Sequence, residues 1–237
     1  MLNKMYLGID GYLNGWCCCI IQNELSIQLH DNIDSVFNTY KSAKSIFIDI
    51  PIGLSSRNFD RKIDKEIRKL IPTKIKSSVF TPPCREALKM KKYHDANIIN
   101  KEITGKGISI QSWNLNKKIN EVDEFLINNK NSIEIVHESH PELCFFKSNQ
   151  SVPLINNKKT KDGILERIKI LKKEIPEIND IISNTIKNNK HNKIKIDDLL
   201  DSIILAICSK NWKDNGSRII HQLINKDEKN IPISIYF

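Results

Sequence analysis

Two apolar runs near the start of the chain, in the segment MYLGIDGYLNGWCCCII, predict how the fold begins. Residues 5–9 and 16–21 form the runs, and a turn that contains Gly and Asn separates them. This arrangement is typical of a β-hairpin. The first run ends on Asp10, which either begins the turn, as Asp often does, or serves a chemical purpose. Acids at the ends of other buried elements would favour the second explanation.

A third run, residues 25–29, extends the hairpin to an antiparallel meander of three strands. Asp31 or Asn32 can then cap a helix that runs to about Tyr40. The segment SIFIDIP follows as a short continuous apolar run, which is typical of a buried and parallel strand. This run also ends on an acid, Asp49.

The rest of the chain is predicted to be mostly helical. Residues 52–132 are polar and include one amphipathic stretch, RNFDRKIDKEIRKLI. The segment SIEIVHESHPEL restores a strand pattern, with Glu138 near its end. Further helices are expected over residues 161–174, 177–188 and about 197–212. The order βββαβ, helices, β and helices predicts one α/β domain, residues 1–237, with a mostly helical insertion at about 52–132.

The composition is that of a soluble globular protein, with 40% hydrophobic and 27% charged residues. No apolar run approaches the roughly 20 residues of a membrane span, and no signal-peptide pattern begins the chain. We therefore expect a cytoplasmic protein that does not contact a membrane. The six cysteines include no CxxC pair, so we expect buried thiols and no cysteine metal site.

The net charge of +9 would suit a polyanionic partner such as nucleic acid. Lysine, asparagine and isoleucine are all abundant, however, which is what an AT-rich genome would produce. The charge therefore permits a nucleic-acid partner but does not by itself establish one.

A pair of acids opens the late helical segment DDLLDSIILAICSKNW. Asp198 and Asp201 are spaced i, i+3, which puts both carboxylates on one face of a helix, and Asp197 and Asp201, spaced i, i+4, are also possible partners. Apolar residues cover the rest of that helix. Such acids either interact favourably with the helix dipole at the N-terminus or repel one another until a cation neutralises them.

Acids therefore mark the ends of three predicted strands and the start of one helix: Asp10, Asp49, Glu138, Asp198 and Asp201. Hard divalent cations prefer several oxygen ligands of this kind. Two such ions about 4 Å apart can activate water and stabilise the leaving oxygen of a phosphodiester. We expect these five residues to be catalytic metal ligands for Mg²⁺ or Mn²⁺, with two ions bound.

The same residues lie in six motifs, GIDG…GW, IDIPIGL, SSVFTPPCREAL, GKGISIQSWNLNKKINEVD, HESHPELCF and DDLLDSI. In this order and spacing the motifs, over about residues 5–212, resemble the domain of unknown function 429, a family predicted to be nucleases of RNase H-like fold. The late-helix DxxD pattern is also similar to that of Holliday-junction resolvases, and Asp198 and Asp201 match it. Two positions depart from the family pattern, the turn at residues 12–14 and Ser202, and neither is an expected ligand.

The resemblance implies an RNase H-like α/β fold, a βββαβ…β mixed sheet flanked by helices. It places a helical insertion between the fourth and fifth strands. It also implies a metal-dependent nuclease that hydrolyses phosphodiester bonds in nucleic acid, with DNA and RNA both open as substrates.

Five further residues are candidates for substrate binding. Arg85 could clamp a phosphate with its guanidinium group or pair with a nearby acid. Gln111 and Lys118 lie where an insertion could cover the cleft. His140 could shuttle a proton beside a metal-bound water, or it could be a core or capping histidine. Lys159, together with its neighbours Lys158 and Lys161 in the segment NNKKTKDG, could attract a phosphate backbone or lie in a solvated loop.

A second acidic group, Glu121 and Asp123, is expected to be structural in part. On a helix the two side chains point about 200° apart, so they cannot both bind one ion without distortion. For at least one of them we expect a contact with Arg85 or a lysine.

Two other functions remain open from the sequence. A non-catalytic module could use the same cleft to bind nucleic acid or a nucleotide. An actin-like ATPase or sugar kinase also begins its phosphate loop with GIDG, but it requires a second core domain and more glycine-rich loops. The chain has only 8 glycines and one set of motifs, which weighs against that class.

Overall fold

The computed structural model describes residues 4–215 and 219–237, which divide between two compact units. Unit 1 contains the described residues of Met1–Asp49, Ile135–Arg218 and Tyr236–Phe237. Unit 2 contains Ile50–Glu134 and Ile219–Ile235. The interpretation as one domain with an insertion at about 52–132 stays a prediction.

The chain is of the mixed α/β class. The described strands are β1 (Tyr6–Tyr12), β2 (Gly15–Ile21), β3 (Leu25–His30), β4 (Ser45–Ile48), β5 (Val136–Glu138), β6 (Ile219–Lys226) and β7 (Pro232–Tyr236). The described helices are α1 (Ile33–Thr39), α2 (Ile63–Leu70), α3 (Arg85–Leu88), α4 (Tyr93–Thr104), α5 (Ile110–Asn114), α6 (Asn116–Asn128), α7 (Pro141–Ser148), α8 (Lys161–Leu171), α9 (Ile178–Asn188) and α10 (Ile196–Asn215). None of these helices is both long enough and apolar enough to cross a membrane.

Unit 1 is built on a five-stranded mixed sheet in the order β3-β2-β1-β4-β5. The pairs β1–β2 and β2–β3 are antiparallel, which confirms the predicted meander. The pairs β1–β4 and β4–β5 are parallel, which confirms the expectation for the SIFIDIP strand. Helices flank this sheet, and β1 lies at its centre.

The first helix begins where an N-cap can stabilise it. The Asn32 side chain accepts a hydrogen bond from the Ser35 N–H at 2.8 Å, so Asn32 and not Asp31 is the cap. The buried residues Ile33, Val36 and Phe37 then attach the helix to the sheet.

Helix α10 packs closely on the central strand. Leu199, Leu200, Ile203, Ile204 and Ile207 are all buried on it, as the apolar pattern predicts. The backbones approach so closely that a side chain on Gly8 of β1 would overlap the α10 backbone. Glycine is therefore required at this crossing, and the crossing fixes the position of the helix along the strand.

Some element boundaries differ from the sequence prediction. The strand predicted across SIEIVHESHPEL is only three residues long, because residues 130–134 form a 3₁₀ turn. The amphipathic stretch RNFDRKIDKEIRKLI becomes helical only at Ile63. Before it, Arg61 is buried and binds the carbonyls of Ile52 and Gly53, so side-chain contacts override the helical pattern.

Unit 2 contains helices α2 to α6 and the two-stranded sheet β6–β7. The two strands had no counterpart in the sequence prediction. A small apolar cluster of Cys84, Ala87, Ala96 and Ile108 packs between its helices. All six cysteines of the chain are free and buried, in agreement with the expectation of structural thiols.

Candidate functional site

Three acids lie side by side where the parallel strands of unit 1 end their pairing. Ile9 of β1 is in register with Ile48 of β4, so Asp10 and Asp49 follow at neighbouring positions. The Asp49 N–H donates to the Ile9 carbonyl at 3.0 Å, which holds the two backbones together. Glu138 of β5 is in register with Ile48 from the other side. Ligand sites in open α/β sheets favour this carboxyl edge.

Helix α10 contributes the remaining two acids. Asp201 lies one residue before Ser202, whose carbonyl is at the close crossing with Gly8 of β1. Asp201 is 1% exposed, so its carboxylate is shielded from water. Asp198 is half-buried, and its Oδ2 accepts the Lys195 N–H at 3.3 Å in the first turn of the helix. Asp198 therefore stabilises the start of α10 by accepting this hydrogen bond, and it also lies near the other acids.

The electrostatics show that these carboxyl groups act on one another. Burial raises the pKa of Asp10 well above its ordinary value, and the charges of Asp49 and Asp201 raise it further. Burial raises the pKa of Asp49 to about 7, and the charges of Asp201 and Glu138 add to the effect. Burial raises the pKa of Asp201 to about 6 against the opposing charge of Lys158. Burial is the main cause at all three groups, and the like charges of the site acids add to it at Asp10 and Asp49.

Asp198 belongs to the same group, although more loosely. Its charge also raises the pKa of Asp10. Burial raises the pKa of Asp198 itself, with the neighbouring Asp197 as the next cause. The five acids singled out in the sequence therefore lie on adjoining elements of unit 1 and are linked by their electrostatic influence, and we call them, with Lys158, the acidic site.

Lys158 is a member of the acidic site, whereas the sequence prediction considered it only as a possible phosphate contact. Its Nζ donates to Asp201 Oδ2 at 2.5 Å, and its side chain is 32% exposed. Burial opposes its charge, yet Asp201, Asp10 and Asp49 raise its pKa well above the ordinary value. The neighbouring Lys159, which the sequence prediction favoured, is exposed. The lysine pair in NNKKTKDG was a usable signal, but it does not show which side chain points inward.

The loop that carries Lys158 is held against the start of α8. The Glu166 carboxylate accepts the N–H groups of Ile155 and Asn156 at 2.8 and 2.9 Å. Gly163 lies so near the loop that a Cβ atom there would be 1.9 Å from the Asn157 carbonyl oxygen. The buried side chain of Leu154 anchors the loop in the core of unit 1.

A buried ion pair borders the acidic site. Arg167 Nη2 donates to both carboxylate oxygens of Glu142 at 2.7 and 2.9 Å, and its Nη1 donates to the Gly163 carbonyl. Glu142 raises the pKa of Asp201 and Arg167 lowers it, so this pair is near enough to influence the site. The sequence prediction missed both residues.

His140 is half-buried at the start of α7. Its backbone carbonyl accepts the Cys144 N–H at 3.0 Å, so its backbone has a capping role. It follows Glu138 by two residues. The proposed role as proton shuttle stays a prediction.

The other expected substrate-binding residues lie in unit 2. Arg85 donates to Asp123 through Nε and Nη2 at 2.8 Å each, and Nη2 also reaches Asp227 at 2.5 Å. This confirms the expected structural contact of Asp123 with Arg85. Gln111 is exposed on the rim of a pocket of about 340 Å³, and Lys118 is half-buried on α6. Phosphate binding by Arg85, Gln111 and Lys118 stays a prediction.

The oxygen donors of the acidic site are of the kind that Mg²⁺ and Mn²⁺ bind. Asp201 Oδ1 is buried and accepts no hydrogen bond from any described residue, so one ligand atom is available. Its other oxygen is bound to Lys158. Among residues 4–215 and 219–237, in the side-chain positions of this structure, no three His, Cys, Asp or Glu residues are grouped closely enough to hold a metal ion. The oxygen donors of the acidic site suit a divalent cation. In the structure, the positive group that contacts Asp201 is the ammonium group of Lys158.

One comparison with known proteins gives a match. A family model described as "Protein of unknown function (DUF429)" matches residues 8–226. The matched segment contains the whole acidic site. Searches of curated proteins and of solved structures found no match.

Proposed function

The chain belongs to the DUF429 family of proteins of unknown function, and from that premise we propose that it is a divalent-metal-dependent nuclease of RNase H-like fold. In this proposal the five-stranded sheet of unit 1 is the RNase H-like core. Helices α2 to α6 are an insertion between its fourth and fifth strands. The observation that carries the proposal is the placement of the acids Asp10, Asp49 and Glu138 at one edge of that sheet, with the buried Asp201 close enough for its charge to raise the pKa values of Asp10 and Asp49.

A purely structural role would not account for this grouping. Buried carboxylates that repel one another destabilise a fold unless a cation or hydrogen-bond donor offsets them. The acids come from three strands and one helix, so several parts of unit 1 contribute to the same unfavourable arrangement. A site that gains from concentrated negative charge, such as a metal site, explains why all of them are present.

In the proposed mechanism the five acids would hold two Mg²⁺ or Mn²⁺ ions. Bound there, such ions would supply activation of water and stabilisation of the leaving oxygen of a phosphodiester. The protein itself supplies the oxygen ligands and excludes bulk water from Asp201, which is 1% exposed. Because burial raises the pKa of Asp49 to about 7 and that of Asp201 to about 6, both groups would have to be deprotonated to serve as ligands.

The proposed substrate is nucleic acid, because phosphodiester bonds are the target that suits two such ions. The net charge of +9 favours a polyanion. Lys159, exposed beside the acidic site, is a candidate for phosphate contacts in unit 1. Arg85, Gln111 and Lys118 remain candidates in unit 2.

A second candidate function is a non-catalytic module that binds nucleic acid or a nucleotide. The contact of Lys158 with Asp201 favours it, because an internal cation already neutralises part of the acidic group. An actin-like ATPase or sugar kinase is a weaker alternative. That class requires a second core sheet, and beside the five-stranded sheet the described residues contain only the pair β6–β7.

A cleavage assay tests the proposal. The chain should cut at least one of single-stranded DNA, duplex DNA, RNA–DNA hybrid, RNA or a four-way junction in Mg²⁺ or Mn²⁺, and Ca²⁺ should support binding better than turnover. Asp10→Asn and Asp201→Asn should each reduce the rate at least about 100-fold, because each removes a ligand of the ions.

The control variant is Glu124→Gln, which removes an exposed acid on α6 and should leave the rate unchanged. Binding without cleavage of any substrate, by protein shown to bind both metals, would favour the non-catalytic module. Cleavage that survives in both Asp variants would come from a contaminating nuclease.

A further inference from the structure

We propose that Lys158 is a tethered competitor for the divalent ion: it neutralises Asp201 until an ion takes its place on the carboxylate. The inference rests on the proposed metal site and adds a regulatory element to it. Ion binding then requires Lys158 Nζ to leave Asp201 Oδ2, so the lysine sets how tightly the site holds a metal.

The first support is the contact itself. Lys158 Nζ lies 2.5 Å from Asp201 Oδ2, and the described residues offer no hydrogen bond to Oδ1. Among the described residues, Lys158 is therefore the side chain that donates a hydrogen bond to the buried Asp201 carboxylate. An ion that coordinates Asp201 must compete with the same ammonium group for the same negative charge.

The second support is the way the loop is built. Leu154 is buried, Glu166 binds two consecutive loop N–H groups, and Thr160 caps α8 through Gly163. Gly163 lets the loop backbone lie against the helix, where any side chain would collide with it. The starting point of the Lys158 side chain is thus fixed by the fold, and its contact with Asp201 is not a chance position of a free loop.

The third support is the contrast in exposure. Asp201 is 1% exposed, whereas the Lys158 side chain is 32% exposed. Lysine has a long flexible stem, so Nζ can swing into solvent while the loop backbone stays in place. The acid has no comparable freedom on α10. Of the two partners, the lysine is the one that can leave.

A fixed structural ion pair makes the opposite prediction. If Lys158 only stabilised the fold, its loss would leave metal affinity unchanged or reduce it through a disordered site. If Lys158 competes, its loss raises the affinity. A rise in affinity larger than the Coulombic effect of a neighbouring lysine, together with release of the Lys158 ammonium group when the ion binds, identifies the competitor role.

The experiment is metal titration by calorimetry on chelator-treated full-length protein, with Mn²⁺ and then Mg²⁺ as the probe. Lys158→Met keeps the length of the side chain and removes its charge. If the lysine-bound form outweighs the open form by about ten to one, this variant should bind about 10-fold more tightly than the wild type. Lys159→Met is the matched control, because it removes the exposed neighbouring charge, and it should change the affinity far less.

A second measurement uses the unsubstituted protein and so does not depend on any variant folding. The NMR signal of the Lys158 ammonium group should show slow hydrogen exchange in chelator, because it is bound to a buried carboxylate. Saturation with Mg²⁺ should convert it to the rapid exchange of a solvent-exposed lysine. Lys158→Arg keeps the positive charge and should retain wild-type or weaker metal affinity.

The outcomes are distinct. Equal affinities of Lys158→Met and Lys159→Met, or a Lys158 signal that is unchanged at saturating Mg²⁺, would overturn the competitor role and leave the metal site standing. Failure of wild type and all variants to bind either ion would overturn the metal site itself, and the competitor role with it.

Discussion

Gly8 and Ser202 are in direct backbone contact: a Cβ atom on Gly8 would lie 2.1 Å from the Ser202 carbonyl oxygen. Gly8 is on the central strand β1, and Ser202 follows Asp201 on α10. Since Asp10 is two residues beyond Gly8, this crossing holds the helix carboxylate beside the strand carboxylate.

Replacement of Gly8 should therefore disturb both stability and the site. Gly8→Ala forces the α10 backbone away from β1, and we expect a loss of about 1–3 kcal/mol or more in the free energy of unfolding. Urea denaturation measures it. Gly107→Ala is the control, since a Cβ there meets only side-chain atoms, the nearest Asn97 Oδ1 at 3.0 Å. Equal losses in the two variants would contradict the importance of the crossing.

Removal of one negative charge should relieve repulsion. In chelator, Asp10→Asn should melt no lower than the wild type, because the variant no longer buries an ionisable carboxyl group beside the charges of Asp49 and Asp201. The same variant should lose most of the rise in Tm that Mg²⁺ or Mn²⁺ causes, because binding to the native state is the source of that rise. Differential scanning fluorimetry measures both effects. A full metal-induced rise in Asp10→Asn would remove this residue from the site.

Stability in chelator should decrease as the pH rises from about 4 to 7. The pKa of Asp49 is raised to about 7 and that of Asp201 to about 6, whereas both are about 4 in an unfolded chain. The folded state therefore binds more protons in this range, and a stabilising contribution present at low pH is lost as the pH passes the folded values.

Urea denaturation at a series of pH values measures this slope. Asp49→Asn should flatten it, whereas the exposed Glu124→Gln should not. A wild-type stability that increases steadily between pH 5 and 7, with Asp49→Asn following the same curve, would contradict the assignment.

The ion pairs of Arg85 should contribute mainly to the stability of the fold. Arg85→Met leaves the buried Asp123 and Asp227 without their partner, and we expect a loss of about 3–5 kcal/mol. Arg57→Met is the matched control, because Arg57 and Glu102 form an exposed pair that should contribute about 0–1 kcal/mol. Urea unfolding of the two variants measures the difference. A loss at Arg85 no larger than that at Arg57 would favour a role in phosphate binding alone.

The sequence predicted well those features that depend on local periodicity. Alternation and turn residues located β1, β2 and β3, and a continuous apolar run located β4. Acids that interrupt such runs could be recognised, because a charged group at the end of a buried strand is unusual for its surroundings. The placement of Asp10 and Asp49 beside each other follows from the parallel pairing of their strands.

Features that depend on distant side chains were not predictable in this way. Lys158 points inward because Gly163 and Glu166 hold its loop, and no local pattern separates it from Lys159. Helix α2 begins late because the side chain of Arg61 binds backbone carbonyls earlier in the chain. These outcomes are decided by tertiary contacts, which periodicity does not encode.

The crossing of Gly8 with Ser202 also has a consequence for the order of folding. Strand β1 is synthesised well before the helix that covers it, which comes after β5 and three further helices. During translation the centre of the sheet therefore stays uncovered until α10 has left the ribosome. Contacts between such distant segments are formed late and slow the folding reaction. The nascent chain thus exposes the buried strand β1 throughout the synthesis of the segment between β1 and α10, and chaperone binding is expected over that interval.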